Sequence, residues 1–555
     1  MDSTHPLVRG GGFLIITGCI AVLLLLLLGD ARPVLPPLDD LRMYLVMPDR
    51  FDDGDRANND ANGRSDPSNP LAVQGGDLRG IARRLPYLRQ LGINALWITP
   101  VQMNVPGAFH GYWIQHFQRV DPRLGTMDDL KQLVCSAHAR GMRVYLDVVC
   151  NHTGPLIGTV EGGHAWNDAG YTLVWKDPAQ KPTPVELQDL SLYHNFGEVK
   201  EWRDPYQVLG ELPGGLDDLR TEDPRVLAAM IRIWTWWLEQ TGCDGFRVDT
   251  VKHVDMPFWY AWLAAVRRHA ERIGKTDFFI FGEVFSGDDA ICAPYTKPDA
   301  DGRRGFDAVF NFSVAEALRD VIARDAPVTR IATSIRNFSR YAPAALSRQM
   351  LFVDNHDMAR FLAVASGDER RLREALCVLY GLPGIPLLYY GTEQGFPGGL
   401  GPDWENRESM FAHGWKGAAP NGDRFATDGA LFRAIAELNA RRAASRILRH
   451  GSCTVADVDT ARRMIAVRRS LGHMDAYILY NGGPGDLRWS APSDGRWRLW
   501  PPDAGVLEEG RILTLHAGRA AWMLPVPGHA RASHPGERHG IHADSPLRGM
   551  RGDGA

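Results

Sequence analysis

Four short segments, widely separated along this chain, place carboxylates and histidines where an apolar run of strand length ends. They read Asp147-Val148-Val149-Cys150-Asn151-His152, Gly245-Phe246-Arg247-Val248-Asp249-Thr250-Val251-Lys252-His253, Phe281-Gly282-Glu283-Val284 and Phe352-Val353-Asp354-Asn355-His356-Asp357. β-Branched and aromatic residues suit a pleated, buried strand, and the intervals between the segments are long enough to hold helices. Strands that alternate with helices build a parallel sheet, whose chemistry collects at the C-terminal strand ends. The expected class is therefore α/β, with a (β/α)8 TIM barrel at its centre.

Eight candidate strands can be placed, at 43–47, 95–99, 144–148, 245–248, 278–281, 308–312, 350–353 and 385–389. Residues 127–139 carry apolar side chains at helical spacing and are stopped by Gly141. A second helix, 226–240, returns the chain to the fourth strand. About ninety residues separate His152 from Phe246, far more than a βα loop needs. A subdomain is thus expected to be inserted after strand 3, over 153–243, within a barrel spanning 41–445. From 446 to 526 the pattern changes to short alternating runs such as Met464-Ile465-Ala466-Val467, which predicts a C-terminal antiparallel β-sandwich. Residues 31–40 read as a linker, and 527–555, rich in Gly, His, Arg and Pro, as a disordered tail.

Composition narrows the classes of function. A chain of 555 residues with 45% hydrophobic and 23% charged residues can bury one large core and a smaller one. Its net charge of −4 offers no basic face for nucleic acid. The apolar run from Phe13 to Leu28 reads as a signal peptide or an N-terminal anchor within residues 1–31, so the protein is expected to be secreted or periplasmic, and membrane-attached only if that run is retained. The seven cysteines lack paired spacing, which predicts buried thiols and no disulfide framework.

Together the four segments resemble the α-amylase family of retaining α-glycosidases, closest in motif to calcium-dependent α-amylases and cyclodextrin glucanotransferase-like relatives. Retention requires a carboxylate nucleophile and a second carboxyl that protonates the leaving oxygen, roughly 5–5.5 Å apart. The resemblance implies that Asp249 is the nucleophile, Glu283 the general acid/base and Asp357 the carboxylate that grips the distorted sugar. Adjacent strands lie roughly 4.8 Å apart, so carboxylates ending the fourth and fifth strands can flank one bond. Arg247, two residues before Asp249, points the same way and would keep it ionised. The resemblance further implies that Tyr112 is a sugar platform, that His152 and His356 bond sugar hydroxyls, and that Lys252, His253, Asp403 and Arg407 are substrate contacts. The family usually has an aspartate three residues after Trp113; this chain has His116.

Calcium is the implied cofactor, at one or two sites. The first would use Asn151, Asp218 and the carbonyl of His253, pinning the subdomain to the barrel. The second would use Asp53, Asp55, Asn58, Asn59, the carbonyl of Gly75 and Asp77. Oxygen ligands suit this hard cation, although Asp, Asn and Gly are also ordinary turn residues.

The expected function is endo-acting hydrolysis of α-1,4-glucosidic bonds in starch-like glucans. Transferring relatives carry a bulky aromatic four residues before the Asp218 position, where this chain has Gly214, and their extra C-terminal domains make them longer. Maltose-forming, α-glucosidase and transferase activities of the same family stay open. So does a membrane-anchored, non-catalytic carbohydrate-binding or transporter-associated subunit.

Overall fold

The structure, a computed structural model, describes residues 34–526 except 203, 420, 421, 493 and 494. Eight strands form one parallel sheet: β1 (Met43–Val46), β2 (Ala95–Ile98), β3 (Arg143–Val148), β4 (Gly245–Val248), β5 (Phe279–Gly282), β6 (Ala308–Val309), β7 (Met350–Leu351) and β8 (Ile385–Tyr389). Their spatial order is β6-β5-β4-β3-β2-β1-β8-β7. A parallel bridge from Phe310 to Met350 joins the two ends and closes the barrel. Every residue of these strands is buried, as expected where helices cover a parallel sheet. Aromatic rings fill the interior: Trp97 lies 5.3 Å from Phe310 and 6.3 Å from Phe281, which is 5.7 Å from Tyr145.

Local chemistry sets the element ends. Helix α1 (Leu78–Gln90) is capped by Asp77, and α2 (Met127–His138) by a reciprocal Thr126/Asp129 capping box. Helix α3 (Pro224–Thr241) begins with Pro224 after Asp223 and ends at Gly242, whose φ of 63° glycine adopts without strain. Two strands end two or more residues short of their expected ranges. β6 stops at Val309 because the Asn311 side chain accepts the Val314 N–H and starts a helix, Phe312–Leu318. β7 stops at Leu351, and the Val353 carbonyl accepts the Arg319 guanidinium instead of a neighbouring strand.

The described part of the expected linker, residues 34–40, lies against the barrel without being buried. Pro36 accepts Arg143 Nε at 2.8 Å, the Asp40 carbonyl accepts Asn94 Nδ2 at 2.8 Å, and Leu38–Asp40 form a 3-10 turn. These contacts seat the segment on the N-terminal face of the barrel.

The insertion after β3 is mostly irregular, with one short antiparallel pair (Ile157–Thr159 with Leu173–Trp175). The C-terminal region folds into a five-stranded and a three-stranded antiparallel sheet. It is joined to the barrel by Trp522, whose indole N–H donates to the Cys377 carbonyl at 2.8 Å. The six described cysteines are free thiols, four of them buried. The apolar run of 13–28 and the tail of 527–555 lie outside the described residues. Among the described residues no helix is long and apolar enough to cross a membrane.

Candidate active site

Strand register places the central side chains. β3 and β4 pair Asp147 with Arg247, and β4 and β5 pair Arg247 with Phe281. The ladder continues past the strands: Asp249 N–H donates to Val148 (2.9 Å), and Glu283 N–H to Val248 (2.8 Å). Asp249 and Glu283 therefore stand side by side on the barrel rim. Arg247, fully buried, lies between them. Its Nη1 bonds Asp249 Oδ1 at 2.7 Å and Asp147 Oδ1 at 2.9 Å. Its Nη2 lies 2.9 Å from Glu283 Oε2, an ion contact without hydrogen-bond alignment. Trp97 supports the guanidinium from below at 4.8 Å.

The second wall comes from Tyr112 and β7. The Tyr112 hydroxyl donates to Asp147 Oδ2 (2.9 Å) and lies 2.9 Å from His356 Nε2, and its ring stacks on that imidazole at 5.5 Å. His356 also touches Asp357 Oδ2 at 3.0 Å. Arg407 links Asp357 (3.2 Å) with Asp403 and donates to the His356 carbonyl. Arg407 is buried and reaches the central cluster, whereas its partner Asp403 is about half exposed. His116 sits in the strand Ile114–Val120, where burial lowers its pKa.

One cation faces three carboxylates here, so the site favours retaining a proton. Burial pushes Asp147 to about 6, Asp249 to about 7 and Glu283 to about 8, with Arg247 opposing each rise. Asp357 is also raised by burial. Burial holds His152 down at about 3 and His253 at about 4, and it pushes His356 well below its ordinary value. These imidazoles are neutral near pH 7. His152 Nε2 and His356 Nδ1 are buried with no hydrogen-bond partner among the described residues.

Asp249, Glu283, Asp357, Tyr112, His152 and His356 line a cleft of about 820 Å³, with Arg247 and Asp147 buried behind it. At one end Lys252 donates to the Phe285 carbonyl (2.8 Å) and lies 5.8 Å from the Trp202 ring and 5.9 Å from the Phe285 ring. His253 lines the same end, and its Nδ1 meets the Val208 carbonyl at 2.6 Å. Gly214 lines the cleft at φ +103°, and a Cβ there would meet nothing within 4 Å.

Several contributors escaped the sequence reading. Asp147 was visible as the first residue of its segment, but its bond to Arg247 required the β3–β4 register. Trp202 and Phe285 are about half exposed, at 48% and 45%, and carry no motif. Thr250 adopts φ 49°, strained for a β-branched residue, and this turn aims its N–H at Glu283 Oε2, 3.4 Å away.

Among the described residues no three His, Cys, Asp or Glu side chains converge as a metal cluster. The first expected calcium site has one such side chain, Asp218, while the three of the second, Asp53, Asp55 and Asp77, do not converge as a cluster; both sites also call on amide and carbonyl oxygens. In the loop at 53–59, Asp53 Oδ1, Asn58 Oδ1 and Asn59 Oδ1 are all buried without a partner among the described residues. Burial of three bare acceptors is costly, and a hard cation would satisfy them. Gly75 packs on Asn59 so closely that a Cβ would fall 2.4 Å from its amide nitrogen. Asp55 and Asp77 are otherwise engaged: Asp55 pairs with Arg79 at 2.6 Å, and Asp77 accepts the Gly54, Asp55 and Gly80 N–H groups. At the other site Asn151 Nδ2 donates to Asp218 Oδ1 (3.0 Å), which leaves Asn151 Oδ1 buried and bare. Asp218 also pairs with His194 at 2.5 Å.

Comparison with known proteins follows the same lines. A family model described as the α-amylase catalytic domain matches residues 45–413. An α-amylase of Streptomyces lividans is 35% identical over 401 residues, covering 62% of this chain and 43% of that protein. The chain therefore spans under half the length of that relative. A cyclomaltodextrin glucanotransferase of Klebsiella oxytoca is 28% identical, covering 74% of this chain and 66% of that protein. Among solved structures, an Anoxybacillus α-amylase is similar at a TM-score of 0.72 and 28% identity, covering 90% of this chain and 100% of that one. A three-domain cyclomaltodextrin glucanotransferase reaches 0.70 at 25% identity, covering 88% of this chain and 99% of that one. Chain length therefore does not separate hydrolase from transferase, contrary to the expectation above.

Proposed function

We propose, from the premise that this chain belongs to the α-amylase family, that it cleaves internal α-1,4-glucosidic bonds of starch-like glucans by retaining double displacement. The observation that carries this reading is one guanidinium, Arg247, in contact with both Asp249 and Glu283. That arrangement suits the short carboxyl separation of retaining enzymes. Asp249, hydrogen-bonded to Arg247, is the nucleophile that attacks the anomeric carbon. Glu283, whose pKa is the higher of the two, gives its proton to the leaving oxygen and then takes one from the incoming water. Asp357, His152 and the face of Tyr112 hold the sugar at the cleaved bond, while Arg407 and Asp403 hold the non-reducing side. Lys252, Trp202 and Phe285 lie on the Glu283 side and receive the leaving portion.

Hydrolysis is favoured over transfer by Gly214, which lines the cleft without a side chain and leaves open space there that water can occupy. Glucan transfer is the second reading, supported by the platform of Trp202 and Phe285, which could also hold a sugar acceptor. A product profile on soluble starch separates the two. Linear maltooligosaccharides with a rapid loss of iodine colour are expected, and dominant cyclic products would overturn the hydrolase reading. The apolar run from Phe13 to Leu28 supports export.

The kcat/KM profile should be bell-shaped. The acid limb follows protonation of the Asp249–Glu283 pair, and the alkaline limb its second deprotonation, which removes the proton held by Glu283. Because burial raises both groups, both limbs should lie above the ordinary carboxylate range; an acid limb near pH 4 would contradict this electrostatic picture.

Calcium fits the bare oxygens of the 53–59 loop and of Asn151. When bound it would supply positive charge that pins the loop and the insertion, with no part in bond cleavage. Chelation should lower the melting temperature by several degrees, since an ion at about 100 times its Kd contributes about 2.7 kcal/mol. An unchanged Tm by calorimetry would remove both sites.

A further inference from the structure

The loop that carries Asp403 and Arg407 has little structure of its own. Between Phe396 and Glu408 the chain runs through Pro397-Gly398-Gly399-Leu400-Gly401-Pro402 and forms only the 3-10 turn Asp403–Asn406. Glycines in such number leave a segment much backbone freedom. Arg407 nevertheless meets Asp357 and the His356 carbonyl. What holds it there is a buried ion pair that the mechanism does not use.

Arg360 follows Asp357 by three residues and is fully buried. Its Nε donates to Glu408 Oε2 at 2.8 Å, and its backbone N–H donates to Asn406 Oδ1 at 3.0 Å. One residue therefore holds both chain neighbours of Arg407. The same two side chains reach into the glycine run: Glu408 Oε1 accepts the Gly398 N–H (2.7 Å), and Asn406 Oδ1 accepts the Gly399 N–H (3.0 Å). The Arg360 guanidinium is itself seated at the end of β8. Its Nη1 donates to the Tyr390 carbonyl (2.9 Å), and it lies 4.3 Å from the Tyr389 ring and 4.9 Å from the Phe396 ring. The Tyr389 hydroxyl donates to the Asn406 carbonyl (2.9 Å). Neither Arg360 nor Glu408 lines the cleft. A buried ion pair is costly to desolvate, and an apolar pair of similar volume is often no less stable. What the charges add here is direction: they fix where the loop sits.

We infer that Arg360 and Glu408 are positioning residues, whose buried ion pair sets Arg407 against Asp357 and so aligns the carboxylate that grips the distorted sugar. Both act through Arg407, whose Nη2 lies 3.2 Å from Asp357 Oδ1. With the pair loosened, the Arg407 guanidinium would follow Asp403, its half-exposed partner on the same loop, away from Asp357. A misplacement of about 1 Å can cost about 100-fold in rate.

The inference rests on the reading that Asp357 acts on the sugar at the cleaved bond, so the test is a double-mutant cycle on starch cleavage with a structural readout beside it. Glu408→Ala would leave Arg360 as a buried unpaired cation and destabilise the fold. The variants are therefore Glu408→Gln, which keeps the shape of the side chain, and the pair Arg360→Met with Glu408→Leu, which removes both charges together. Each should lower kcat about tenfold and change KM less than twofold, because a grip on the strained sugar counts in the transition state. In an Arg407→Ala background the same changes should cost less than twofold, since the group they position is gone. Hydrogen exchange over residues 396–408 should quicken about tenfold, while exchange in β3 and β4 stays as in wild type. Equal losses in both backgrounds, or unchanged exchange in the loop, would overturn the positioning role. If the wild-type protein does not cleave starch, the hydrolase reading falls, and the same cycle read as maltoheptaose affinity by calorimetry decides the role of the pair.

Discussion

Glu283→Gln should abolish turnover of soluble starch, by roughly 10²- to 10⁴-fold, while the melting temperature stays within a few degrees of wild type. The amide keeps the shape of the side chain and its place beside Arg247, but it cannot deliver a proton to the leaving oxygen. The residual rate should also lose its alkaline limb, since no proton remains to be titrated at that position. A substrate with a good leaving group, such as an α-glucosyl fluoride, needs little protonation and should be cleaved much nearer the wild-type rate. That difference separates loss of the acid from general damage. Starch hydrolysis close to wild type would end the assignment of Glu283.

Arg247→Met should have the second largest effect, acting on stability as well as rate. Its guanidinium is the cation in direct contact with Asp147, Asp249 and Glu283, all buried. Removing one partner from a buried ion cluster typically costs about 3–5 kcal/mol at neutral pH, because the remaining charges are left without compensation. The sign of the pH dependence follows from the same groups. All three carboxyl groups already have folded pKa values above the unfolded ones, and losing Arg247 raises them further. Groups raised in this way favour the fold while protonated, and that contribution fades as pH climbs through the folded values. The variant should therefore be closest to wild type near pH 5 and fall furthest behind near pH 8, in denaturant melts at each pH. A deficit independent of pH would mean that Arg247 acts through packing on Trp97 alone.

Much of this site could be read along the chain because barrel chemistry is local to strand ends. Asp249, Glu283 and Asp357 each follow a strand within a few residues, so the pattern of apolar run and polar stop located them, while the roles expected of them came from the family resemblance. The same reasoning failed at β6 and β7, where the apolar run continued but Asn311 had already started a helix and Arg319 had taken the Val353 carbonyl. Those interruptions come from side chains whose reach cannot be seen in periodicity. Tyr112 was expected from the family resemblance to be a sugar platform; its hydroxyl joins Asp147 to His356, 244 positions from Tyr112, a contact no local pattern shows. The loop at 53–59 was legible as a cluster of oxygen-bearing residues. Which oxygens stay bare, and that Asp77 is largely occupied as a helix cap, depended on packing.

The sequence by itself determined the order of strands and the residue types that end them, because alternation, capping and turn preferences act over a few residues. Only the tertiary structure decided the charge balance of the site, since three carboxylates meet one guanidinium only after β3, β4 and β5 align in register. It likewise decided how the loop bearing Arg407 is held, where Arg360 meets Glu408 across 48 positions. Coulomb energy and stacking depend on distances in space, and no local pattern records those.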